Sequence, residues 1–171
     1  FNTAEDRDAT GAITVTLSSE SSVTGDVSVG TDTLIGIDRV FGSGFDDTFT
    51  VDGTFSGNFG TFNEIEGGGG DDLITGNGKT RVGYLKADAG VFVDLGAGTA
   101  RGLDEDDAAN VGTDTFTGVR DVRGSQFGDT LVGSDGSGFE SFRGMGGDDF
   151  IDGGAGESDR ADYRNSPDSV F

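Results

Sequence analysis

The chain has no cysteine, no histidine and no tryptophan, and a single proline among 171 residues. Without cysteine no disulfide can hold the fold together. Without either Cys or His a zinc, copper or iron–sulfur centre lacks its usual ligands. The same absences remove the common nucleophile and acid–base constellations, so a non-catalytic chain is expected. Basic residues are scarce, 11 against 32 acidic, for a formal net charge of −21. That field repels phosphate and argues against nucleic acid as a partner. No apolar run approaches the ~18 residues of a membrane-spanning helix, so no membrane insertion is expected. Large apolar residues are also few: 7 Leu, 6 Ile, 14 Val and 14 Phe, about 24% of the chain. That share lies just above the disordered regime, and 33 glycines add backbone entropy to the cost of folding. Something beyond apolar burial must supply stability.

What is abundant is aspartate, 25 residues against 7 glutamates. A merely solvating surface has no reason to refuse Glu. The short carboxylate beside glycine suits tight turns, and it suits hard cations that take oxygen ligands. The start at Phe1, without an initiator methionine, and the end at Phe171 suggest a segment of something longer.

Internal repetition organises the chain. Val29-Gly-Thr-Asp-Thr33 returns 82 residues later as Val111-Gly-Thr-Asp-Thr115, and Gly42-Ser-Gly-Phe-Asp-Asp-Thr-Phe49 returns at the same offset as Gly124-Ser-Gln-Phe-Gly-Asp-Thr-Leu131. Gly69-Gly-Asp-Asp-Leu-Ile74 returns after 77 as Gly146-Gly-Asp-Asp-Phe-Ile151. Ile13–Leu17 resembles Val91–Leu95, and Tyr84 matches Tyr163. The drifting offset places insertions near Val51–Thr61 in the first copy and near Leu103–Asn110 in the second. The chain thus divides as repeat one 1–83, repeat two 84–162 and the start of a third at 163–171, in one continuous body, with Phe1 in the slot of Tyr84. Frequent glycine and the lack of 3.6-residue apolar spacing exclude long helices. Short strands such as Ile13–Leu17, Val91–Leu95 and Thr130–Val132, separated by Gly/Asp turns and stacked in parallel, are expected instead.

Residues 67–74 resemble the RTX, or haemolysin-type, calcium-binding nonapeptide G-G-x-G-x-D-x-U-x. Gly67 and Gly68 stand at the first two positions, Gly70 at the fourth, Asp72 at the sixth and Ile74 at the eighth. In the second copy Gly144, Gly147, Asp149 and Ile151 match, and Met145 replaces the second glycine. Asp47 and Asp129 hold the sixth place in looser versions that carry Phe45 and Phe127 at the fourth. Asp32 and Asp114 close half-motifs. The resemblance implies an all-β, right-handed parallel β-roll or β-solenoid, Ca²⁺ between stacked turns, and type I export to the cell surface or medium. On that basis the metal-site candidates are Asp72, Asp149, Asp47, Asp129, Asp32 and Asp114, with Gly67, Gly69, Gly144 and Gly146 supplying backbone. The eighth-position residues Leu34, Phe49, Ile74, Phe116, Leu131 and Ile151 are expected to point inward.

The run Asp104–Asp107 reads as an exposed acidic loop, and the arginines as partners for unused carboxylates in exposed pairs. The function expected is a calcium-binding structural segment (spacer, adhesin stalk or filament unit) of a large exported bacterial protein, with neighbouring repeats as partners. The alternative is a carbohydrate-binding or secretion module of a polysaccharide-active enzyme, in contact with polysaccharide or a cell surface.

Overall fold

The computed structural model describes residues 1–156 and 158–164. Among these there is no helix. There are fifteen short strands: β1 (Thr3–Glu5), β2 (Thr14–Leu17), β3 (Ser21–Thr24), β4 (Thr31–Leu34), β5 (Arg39–Phe41), β6 (Thr48–Val51), β7 (Asn63–Glu66), β8 (Leu73–Gly83), β9 (Val91–Asp94), β10 (Thr99–Gly102), β11 (Thr113–Arg123), β12 (Thr130–Val132), β13 (Glu140–Arg143), β14 (Phe150–Asp152) and β15 (Asp159–Ala161). They form one open, mostly parallel sheet with two ladders. The first runs β1-β5-β7-β8-β11-β13-β15 and is parallel throughout. The second runs β4-β3-β2-β6-β8-β11-β10-β9-β12-β14. The long strands β8 and β11 belong to both, pairing with each other in each ladder across a register irregularity.

Strand alternation assigns the core. In the first ladder Val40, Ile65, Val82, Val122 and Phe142 lie in one register row. In the second, Val15, Phe49, Ile74 and Phe116 align, as do Val93 and Leu131. All of these residues fall into a single buried cluster, so the two ladders share one core. The eighth-position expectation holds for Phe49, Ile74, Phe116 and Leu131, which are buried. Thr75 and Asp152, beside inward residues, are exposed. Leu34 and Ile151 are only half-buried, because each lies on a terminal strand of the second ladder and no further strand among the described residues covers it.

Two expectations need correction. Uniform parallel stacking fails at β2-β3-β4 and at β9-β10-β11, which are antiparallel meanders. Tight returns cause this. Ser18 N–H donates to Ser21 Oγ (3.0 Å) between β2 and β3, and Gly98 N–H donates to the Asp94 carbonyl (2.9 Å) between β9 and β10. A parallel crossover would need a far longer connection. Nor does Phe1 occupy the slot of Tyr84. Thr3 pairs with Arg39 as Arg81 pairs with Asp121, so β1 repeats the second half of β8 and Asp6 falls at the Tyr84 position. Phe1 instead packs on Phe59 and Phe62. The two insertions lie as expected between β6 and β7 and between β10 and β11. Residues 165–171 of the third repeat lie outside the described residues.

Candidate functional site

Four turns of the same design, 42–47, 67–72, 124–129 and 144–149, carry the chain from the first ladder to the second. In each, the sixth-position carboxylate folds back over the first residue. A Cβ at Gly42, Gly67, Gly124 or Gly144 would collide with the carboxylate of Asp47, Asp72, Asp129 or Asp149 respectively. This is why glycine opens each turn. The third residue joins one turn to the next: Gly69 N–H donates to the Ser43 carbonyl (3.2 Å), and Gly146 N–H to the Ser125 carbonyl (3.4 Å).

The sixth-position carboxylates form a relay between neighbouring turns. Asp47 N–H donates to Asp72 Oδ1 (2.8 Å), and Asp72 N–H donates to Asp114 Oδ1 (3.1 Å). Asp129 N–H donates to Asp149 Oδ1 (3.0 Å). At the start of each run a strand-leading residue takes the same role: Ile13 N–H donates to Asp47 (2.8 Å) and Val91 N–H to Asp129 (2.9 Å).

The turns then separate into two kinds. In 42–47 and 124–129 the second residue is serine. Ser43 donates to Asp47 from its N–H (2.6 Å) and its hydroxyl (2.8 Å), and Ser125 does the same for Asp129 (both 2.7 Å). Both oxygens of each of those carboxylates are hydrogen-bonded. In 67–72 the second residue is Gly68, with φ 107°, and no hydroxyl is present. Asp72 Oδ2 is left buried without a hydrogen-bond partner. In 144–149 Met145 takes the corresponding positive φ of 83°, and Asp149 is half-buried.

Among the described residues none of Asp47, Asp72, Asp114, Asp129 and Asp149 forms an ion pair. Burial, then the neighbouring Asp114 charge, pushes the Asp72 carboxyl up to about 9. Burial raises Asp114 to about 7, against the lowering effect of the Asp72 N–H and of the Tyr84 hydroxyl, which donates to Asp114 Oδ2 (2.9 Å). Burial also raises Asp47, Asp129 and Asp149. Asp32, the counterpart of Asp114, is exposed. Identical motifs thus sit in different settings, because only β11 has a neighbouring turn packed on it.

The acidic loop 104–107 is mainly a turn former, with the Asp107 carboxylate accepting the N–H groups of Val111 (3.2 Å) and Gly112 (3.0 Å). Among the described residues no three His, Cys, Asp or Glu side chains converge as a metal cluster. A cation at these turns would therefore draw its remaining ligands from backbone carbonyls.

Exposed arginine–carboxylate pairs were the wrong expectation for the first ladder. Fully buried Glu64 on β7 meets Arg39 (3.1 Å), Arg81 (3.2 Å) and Arg123 (2.7 Å) from three strands of the same ladder. Arg39 also stacks on Phe1 and Arg81 on Phe62, with guanidinium–ring distances of 4.9 Å. The signal was present in the sequence only as unassigned arginines, since the register that gathers them is not visible there. Beside this cluster, Glu66 Oε2 is buried without a partner and burial raises its carboxyl, while its other oxygen accepts Lys86 N–H (2.7 Å).

No protein-family model matches the chain, and no curated protein matches it at a significant level.

Proposed function

We propose that this chain is a non-catalytic structural repeat segment, a calcium-binding spacer or filament unit of a larger exported protein, wound as a right-handed, mostly parallel β-roll. The observation that carries the reading is the carboxylate relay. Successive turns present in-register, buried aspartates without ion-pair partners, and one of them, Asp72, keeps a bare buried oxygen. Buried charge of one sign requires neutralisation by protons or by a cation. The donors are all hard oxygens, the type Ca²⁺ prefers, and the glycine-rich turn brings backbone carbonyls close. Asp72 and Asp149, whose turns lack the serine that occupies Asp47 and Asp129, are the side chains that would hold the ion. Asp47 and Asp129 act as hydrogen-bonded struts between turns. Bound calcium supplies positive charge that ties adjacent turns together.

Proton linkage tests this reading. A carboxyl that rises from 3.8 to about 9 on folding binds more protons folded than unfolded between those values. This group's contribution is therefore complete below about pH 4, and the calcium-free protein should lose on the order of a few kcal/mol as the pH climbs from there to about 9. Calcium competes with that proton, so titration calorimetry near pH 7.5 in buffers of different ionisation enthalpy should show proton release. Asp72→Asn should flatten the pH slope to what Asp114 and the other raised carboxyls contribute and should remove most of the proton release, whereas Asp104→Asn should preserve both. Binding unaffected by Asp72→Asn would place calcium elsewhere.

A further inference from the structure

We propose that the two ends of the second ladder are complementary, so that a second copy of this chain docks head-to-tail with its β4 against β14 of the first. The inference rests on the structural-repeat reading and names the partner of that repeat. Its template lies inside the chain. Strand β11 begins the second ladder's share of repeat two as β4 does for repeat one, and β11 is already docked on β8. Strand β14 is the counterpart of that docked part of β8, for it follows turn 144–149 as β8 follows turn 67–72. Among the described residues β4 pairs only with β3, and β14 only with β12.

The internal junction Leu73–Thr115 and Ile74–Phe116 predicts Phe150 opposite Thr33 and Ile151 opposite Leu34 between copies. Leu34 and Ile151 are the two half-buried members of the inward row, and this contact buries both. The hydrogen bonds are also waiting. Thr113 N–H donates to Asp71 Oδ1 (2.7 Å), Thr115 N–H to the Asp72 carbonyl (2.9 Å) and Asp72 N–H to Asp114. Their counterparts are Thr31 to Asp148, Thr33 to the Asp149 carbonyl, and Asp149 N–H to the exposed carboxylate of Asp32. Gly25 N–H donates to the Gly30 carbonyl (3.0 Å) and closes the β3–β4 hairpin, which turns the N–H groups of Thr31 and Thr33 away from β3.

Glycine supplies independent support. At Gly112 (φ 62°) and Gly118 (φ 66°) a Cβ would collide with the carbonyls of Gly70 and Gly76 in the packed neighbour. Gly30 (φ 73°) and Gly36 (φ 65°) hold the same conformations, but a Cβ at Gly30 would meet nothing and one at Gly36 only the side chains of Asn58 and Asn2. Both are seats for backbone that this copy does not provide, and Gly147 and Gly153 are the counterparts that fill them. Docking carries one cost. Strand β1 occupies on β5 the seat that β8 occupies on β11, and β15 repeats that same strand. Thus β15 of one copy replaces β1 of the next, a three-residue strand with mostly exposed side chains.

Sedimentation velocity on the full chain over a concentration series, in calcium and in EDTA, tests the proposal. Circular dichroism on the same samples reports whether the repeat is folded, which separates failure of docking from failure of the structural-repeat reading. The wild type should form concentration-dependent oligomers. Thr33→Pro removes an outward N–H on an edge strand, where proline is tolerated, and should weaken association at least about tenfold. Added to wild type, it should shorten the oligomers, because its β14 edge remains usable. Ala4→Asp, which unseats β1, should strengthen association. A folded monomer at every concentration, or oligomers indifferent to Thr33→Pro, would overturn the proposal.

Discussion

Glu64→Ala is expected to lower the unfolding free energy by about 3–5 kcal/mol, the cost of breaking a buried ion pair by removing one partner. Glu64 is fully buried, and its carboxylate is the shared ion-pair partner of Arg39, Arg81 and Arg123, accepting hydrogen bonds from the last two. Arg123 donates a hydrogen bond to Glu64 Oε2 (2.9 Å), and its other terminal nitrogen approaches Oε1 at ion-pair distance (2.7 Å). Removing the carboxylate leaves guanidinium groups of three strands facing one another with little solvent, and burial already works against the charged form of Arg123. Glu64→Gln should recover part of the loss by keeping a carbonyl acceptor. Arg7→Ala, whose pairing with Glu5 is exposed on both sides, should cost about 0–1 kcal/mol. Urea unfolding of the three variants checks the order, and a Glu64→Ala protein as stable as Arg7→Ala would mean that the cluster does not hold β5, β7, β8 and β11 together.

Phe49→Ala should cost about 3–5 kcal/mol, as truncation of a large buried aromatic does. Phe49 is fully buried on β6, between Val15 of β2 and Ile74 of β8 in the same row. Its loss opens a hole that flanking strands cannot close without shifting their register. Leu34→Ala and Ile151→Ala, at the half-buried ends of the ladder, should cost clearly less. In a stack where each layer touches only its neighbours, the damage stays partly local. Hydrogen exchange on Phe49→Ala should show loosening around 14–17, 48–51 and 73–75, with near-normal protection around 130–132. Uniform loss of protection would indicate a single cooperative core rather than a stack of layers.

Much of this was legible in the sequence where the backbone itself dictates residue type. The first-position glycines are forced by the carboxylates that fold over them, and the sixth-position aspartates by the relay. The repeat offset and the inward row at Phe49, Ile74, Phe116 and Leu131 were therefore visible. The meanders were not. Thr31-Asp-Thr-Leu34 reads as the tail of a glycine turn, and nothing in Ser21–Thr24 alternates strongly enough to announce an antiparallel strand. The difference between Asp32 and Asp114 was hidden as well, since it arises from what packs beside each strand and not from the strand. The serines at 43 and 125 were in plain view, but their meaning depends on hydroxyls reaching a carboxylate four residues on. The Glu64 cluster draws on positions 39, 64, 81 and 123, a spacing that only the parallel register makes contiguous.

The central claim, that a hard cation completes a stack short of apolar core, is tested most directly by thermal unfolding near pH 7.5 in excess EDTA, in millimolar Ca²⁺ and in millimolar Mg²⁺. Followed by circular dichroism, calcium should raise the midpoint substantially, with about 2.7 kcal/mol gained per site at a hundredfold excess over the dissociation constant. Magnesium should do little, because it demands near-ideal octahedral geometry and dehydrates reluctantly. The same β spectrum and the same midpoint in all three solutions would contradict the account.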